Sequence, residues 1–151
     1  MTLKVFISYS HKDEPYKETL DEHLSLLKRK NIINTWNDRR LIAGQSWDKE
    51  ISDNILDSDV IIFLVSSSFI SSDYCFGVEM KKALELHNEN KSVVVPLIIR
   101  PCDWQAAEFG CLQGLPKDAN PISKWDNEDE GWLDAVNGIK SLIANLGEKK
   151  K

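Results

Sequence analysis

Apolar residues follow two rhythms along this chain. Four short runs are nearly continuous: "KVFISYS" (Lys4–Ser10), "NIINTW" (Asn31–Trp36), "DVIIFLVSS" (Asp59–Ser67) and "SVVVPLIIR" (Ser92–Arg100). The first, third and fourth are rich in β-branched and aromatic residues, the composition of strands buried on both faces of a parallel sheet. "NIINTW" is more polar, as an edge strand would be, and a fifth run, "NPISKW" (Asn120–Trp125), is weaker still. Between these runs the apolar spacing becomes helical. Leu20, Leu24 and Leu27 form one stripe, with Asp13 placed to cap it and Pro15 in its first turn. Trp47, Ile51 and Ile55 form a second, with Ser46 as its cap. Phe76, Met80, Ala83, Leu84 and His87 form a third. Trp132, Val136, Ile139, Leu142, Ile143 and Leu146 predict a long final helix that stops before Gly147. Pro101–Lys117 has no clear period and reads as loop with a short irregular helix.

Strands alternating with helices predict an α/β fold with right-handed crossovers, in a three-layer, doubly wound arrangement. In such a sheet a ligand sits outside the carboxyl ends of the strands, where strand order reverses. With a flavodoxin-like order that point lies between the first and third strands. Their ends, Ser8–Asp13 and Ser66–Tyr74, are rich in hydroxyls. The loop after the second strand, Asn37–Trp47, folds over the same edge and holds Asp38, Arg39, Arg40 and the turn glycine Gly44.

Composition narrows the function. The 151 residues suit one domain, with 42% apolar and 28% charged positions. A net charge of −5 argues against a nucleic-acid partner or an anionic membrane surface. The longest apolar run, Val60–Val65, is too short to span a bilayer. The three cysteines, Cys75, Cys102 and Cys111, form no CxxC pair and fit a reducing cytoplasm, and no signal peptide precedes the first strand-like run. The domain is expected over residues 1–147, with 148–151 a disordered basic tail.

No phosphate-cradling glycine loop and no GxSxG elbow is present. The three histidines, His11, His23 and His87, are dispersed without metal-ligand spacing, so no metal or other cofactor is expected. A phospho-receiver needs acids after the first strand and an Asp after the third. Here those ends read Ser-Tyr-Ser-His and Ser-Ser-Ser-Phe. Ser10 and Asp13 serve either as helix caps or as ligand contacts. Glu79, in "SSDYCFGVEMKKALELH", is either a surface charge beside the apolar stripe or a residue at the rim of the site, and Gly77 near it leaves room for a bound group.

Taken together, "VFISYSHKD", "WNDRRLIAGQSW", "SSDYCFGVEMKKAL" and "VVVPLIIRPCDW" with "LPKDANPISKW" resemble, in this order, a TIR (Toll/interleukin-1 receptor) domain of the bacterial kind, from Val5 to about Leu146. The resemblance implies a five-stranded parallel sheet of order 2-1-3-4-5. It also implies cleavage of NAD+ at the bond joining nicotinamide to ribose, to ADP-ribose or a cyclic ADP-ribose isomer, in anti-phage defence. NAD+ is then a substrate, and other TIR domains are partners by self-association. Glu79 takes the position of the family's catalytic glutamate. Phe6, Ser8 and Ser10 line the pocket floor, Asp38, Arg39 and Trp47 contact or gate the substrate, and Tyr74 and Cys75 lie near the nicotinamide end. Several NAD+-cleaving members carry Trp where this chain has Cys75, which leaves Tyr74 or Trp47 as the aromatic wall. The alternative is a non-catalytic interaction module that assembles through Asp38–Gly44. A nucleotide-binding sensor without turnover is a third reading.

Overall fold

The computed structural model describes residues 2–36, 55–72, 76–77 and 79–149. Strands β1 (Leu3–Ser8), β2 (Ile33–Trp36), β3 (Val60–Val65) and β4 (Val93–Ile98) form one parallel sheet in the order β2-β1-β3-β4. Leu3 stands beside Ile33, Val5 beside Val60, and Val60 beside Val93. Among the described residues the regular helices are α1 (Glu14–His23), α2 (Ser25–Arg29), α3 (Ser67–Ser71), α4 (Met80–Asn88) and α5 (Glu128–Lys149).

The near-continuous strands have two buried faces because each face meets helices. Val5, Ile7, Ile62, Leu64, Val95 and Leu97 pack with the expected leucines of α1 and α2 and with Trp132, Ala135 and Ile139 of α5. On the other face Phe6, Ile61, Phe63, Val65, Val94 and Ile98 pack with Phe69, Met80, Ala83 and Leu86. Ile55, the one member of the second stripe among the described residues, is buried on this face too, while its expected partners Trp47 and Ile51 and the cap Ser46 lie outside them. Phe109 joins it from the connecting segment, where its ring meets Phe63 edge-on at 5.4 Å. That segment runs in successive turns rather than a helix. It is tight, since a Cβ on Gly110 would stand 2.1 Å from the Gln105 carbonyl oxygen.

Among the described residues the sheet has four strands, not the expected five, and the outer edge of β4 shows why. Val93 N–H donates to the Asp59 carbonyl and Ile99 N–H to that of Val65, both at 3.0 Å, so alternate residues of β4 face inward and Val94, Pro96 and Ile98 face out. Val94 N–H donates to Nδ1 of His87 at 3.1 Å. Pro96 has no N–H to offer. Ile98 N–H donates to the Leu115 carbonyl and Leu115 N–H to the Pro96 carbonyl, each at 2.8 Å, making a single parallel bridge. The next N–H that would face β4, that of Lys117, donates instead to Oδ1 of Asp134 at 2.7 Å, so the bridge is not extended. Asn120–Trp125, expected as the fifth strand, instead forms a 3-10 turn at Ile122–Lys124, tied to β4 only by Ser123 N–H to the Ile99 carbonyl at 3.0 Å.

Two helix ends also differ from expectation. α5 runs through Gly147 to Lys149, so Glu148 and Lys149 of the expected tail are helical. Asp13 occupies the N-cap position of α1 without making a capping bond. Among the described residues no helix is long and apolar enough to cross a membrane.

Candidate functional site

The carboxyl ends of three strands are joined by a buried ionic network. Ser66, just past β3, caps α3 by accepting from Phe69 N–H at 3.1 Å, and its hydroxyl donates to Oδ2 of Asp13 at 2.5 Å. Arg100, just past β4, donates to Oδ1 of Asp13 from Nε at 3.1 Å and from Nη2 at 2.9 Å. Its Nη2 also donates to Ser68 Oγ at 2.9 Å. The Asp13 side chain is 1% exposed and that of Arg100 32%. A carboxylate so buried must be paired, and here the cation comes from the far side of β3. Asp13 therefore locks the turn after β1 to the ends of β3 and β4. In the sequence Asp13 is marked only as a cap or ligand contact, and the single signal of Arg100 is a charge closing an apolar run.

Glu79 is 1% exposed, so it is not the surface charge that helical spacing allowed. Glu79 lies in a wide, π-helical turn with Phe76 and Gly77, and Met80 opens α4 directly after it. Turns of this kind recur at functional sites. Phe76 packs partly and Met80 fully against the Phe6–Phe63 face, which places Glu79 at the start of α4 on that side of the sheet. Among the described residues, apart from its chain neighbours and the backbone of its own turn, no heavy atom lies within 4 Å of where a Cβ on Gly77 would sit, so the described residues leave space beside the turn carrying Glu79.

Of the other expected site residues, Phe6 and Ser8 share that sheet face by strand alternation. Phe6 is buried and its ring stacks on Trp36, with centroids 5.2 Å apart. Ser8 is 1% exposed, and its hydroxyl has no hydrogen-bond partner among the described residues. Ser10 is buried and caps the short turn His11–Asp13, accepting from Lys12 N–H at 3.3 Å. Asp38, Arg39, Trp47, Tyr74 and Cys75 lie outside the described residues. Among those described, no three His, Cys, Asp or Glu side chains converge as a metal would need. A separate cleft of about 450 Å³ between α1 and α5, floored by Tyr16 and Trp132, opens on the opposite sheet face from Glu79. Burial there, with the Glu128 carboxylate, pushes the Tyr16 hydroxyl above its ordinary pKa.

The model of the TIR domain family matches residues 5–136. The chain belongs to the TIR domain family. It is 44% identical over 142 residues to the uncharacterized protein y4lF of Sinorhizobium fredii (strain NBRC 101917 / NGR234), covering 94% of this chain and 44% of that relative. This TIR chain therefore spans less than half the length of its relative. Among solved structures it is similar to the TIR domain of the Toll-related receptor TRR-2 from Hydra magnipapillata, with a TM-score of 0.62, 20% identity, and coverage of 90% of this chain and 97% of that one. The TIR domains of the activated Roq1 resistosome, which recognizes the pathogen effector XopQ, match at a TM-score of 0.52 and 28% identity, over 63% of this chain and 56% of that one. A prokaryotic SEFIR domain matches at 0.51 and 18%, over 93% and 92%. At that identity the receptor and SEFIR likenesses speak to the fold alone.

Proposed function

We propose that this TIR domain cleaves NAD+ between nicotinamide and ribose, with Glu79 as the catalytic carboxylate. The observation that carries the reading is the burial of Glu79 at the start of α4, on the sheet face of Phe6 and Ser8 and beside the open space at Gly77. Glutamate is almost never fully buried without a specific reason.

The chemistry suits one acid. Ordinary glycoside hydrolysis needs a second carboxyl to protonate the leaving group. Nicotinamide in NAD+ is already cationic. When the C1′–N bond breaks, its electron pair goes to the ring nitrogen and nicotinamide leaves neutral, with no general acid. The ribose is left as an oxocarbenium-like cation, and a carboxylate in a dry site stabilises that charge strongly. Water then gives ADP-ribose, and attack from the adenine of the same molecule gives a cyclic isomer. Ser8 offers a buried hydroxyl to the substrate, and Phe6 and Ser10 line the floor. Asp38, Arg39, Trp47, Tyr74 and Cys75 complete the contacts, and a role in anti-phage signalling follows from the same resemblance.

A second reading, an interaction module, is favoured by one observation: the similar Roq1 TIR domains are part of an activated resistosome. The two readings part on turnover as a function of protein density. Nicotinamide release from NAD+ that rises faster than in proportion to protein concentration supports an enzyme that works when assembled. Assembly seen by light scattering, with no release at any density, supports the module and rejects the enzyme.

A further inference from the structure

We infer that His87 is a proton-operated guard of the sheet's outer edge: neutral, it holds the Val94 N–H, and protonated, it lets it go.

β4 points the backbone of Val94, Pro96 and Ile98 away from β3. Of the three outward residues, Pro96 has no N–H and Ile98 is engaged by Leu115. Only Val94 offers an N–H that no strand or turn receives, and the acceptor it finds is a side chain, Nδ1 of His87 at 3.1 Å. An imidazole nitrogen accepts only through its lone pair, so this bond selects the neutral ring with its hydrogen on Nε2. A proton added at Nδ1 removes the lone pair and sets two donors facing each other. The Val94 carbonyl faces the same way, and no hydrogen bond reaches it among the described residues. Losing the histidine therefore uncovers a donor and an acceptor side by side, the template that natural sheets keep covered at their edges. Room for the ring to withdraw exists, because Val93–Val95 and His87 line a groove of about 410 Å³ that α5 borders through Gly138, Ser141 and Leu142.

Among the described residues no other titratable group lines that groove on β4, on Leu112–Leu115 or on α5. On the histidine's own helix the nearest charges are taken: Glu85 pairs with Lys82 at 3.6 Å, and Glu89, past the helix end, with Lys91 at 3.0 Å. Histidine is the side chain whose ordinary charge change falls between pH ~5 and ~8.

Backbone amide exchange, followed residue by residue by NMR at about pH 8 and about pH 5, tests this on the whole chain. The Val94 protection factor, corrected for intrinsic exchange, falls about tenfold at the lower pH, the size of one net hydrogen bond, while Val95 and Leu97 hold theirs. His87→Asn places a non-titrating Oδ1 where Nδ1 stands and keeps Val94 protected at both pH values. His87→Leu loses that protection at both, with circular dichroism reporting whether the fold is intact. Unchanged Val94 protection in the wild type, an equal fall in His87→Asn, or a fall shared by all of β4 overturns the inference.

Discussion

Ser8 hides a hydroxyl that no described group receives, which makes it a clean place to separate stability from activity. An unsatisfied buried polar atom is a cost to the fold, of order 1–3 kcal/mol. Ser8→Ala is therefore expected to leave the melting temperature equal or higher, and under the proposed function to slow NAD+ turnover. A marked loss of stability would show that the hydroxyl has a structural partner instead. Glu79 shows what spacing can and cannot tell at this scale. Helical periodicity put it next to a core stripe, where either a solvated or a buried side chain fits. The π-helical turn ahead of α4 and the packing of Phe76 and Met80 decided for burial, and neither is written in a 3.6-residue pattern.

The elements with the strongest patterns were legible: β1, β3 and β4 from their unbroken apolar runs, α5 from its long stripe. The fifth strand was not, because its absence depends on Pro96, Leu115 and His87 closing the β4 edge, a contact among distant residues. The Asp13–Arg100 pair was hidden for the same reason, being 87 positions apart. Arg100→Ala leaves the buried Asp13 carboxylate without its cation; a fully buried pair loses about 3–5 kcal/mol on such a change, and with the Arg100 side chain 32% exposed a smaller loss is expected. Denaturant unfolding of that variant checks the figure, and a loss near zero would mean the pair is solvated. At the α1–α2 junction, burial alone would raise the pKa of Asp21, but hydrogen bonds from Lys17 and Lys28 outweigh it and hold the carboxyl below its ordinary value. A depressed carboxylate stabilises the fold above its unfolded pKa of about 3.9 and loses that contribution as pH falls through its folded value. The wild type is thus expected to melt above Asp21→Asn at neutral pH, with the gap closing below about pH 4. A gap that stays constant with pH would assign the difference to packing.

For the whole molecule, the doubly wound sheet separates two surfaces. Glu79, Phe6 and Ser8 belong to the α3–α4 side, and the Tyr16–Trp132 cleft belongs to the α1–α5 side. The most direct test of the central claim is nicotinamide release from NAD+ by concentrated wild-type protein and by Glu79→Gln, which keeps the shape and removes the charge. The account predicts steady release by the wild type and a fall of roughly 100-fold or more in the variant, the size seen when a charge-stabilising group is lost. Equal release by the two proteins, with the fold of both intact by circular dichroism, would contradict it.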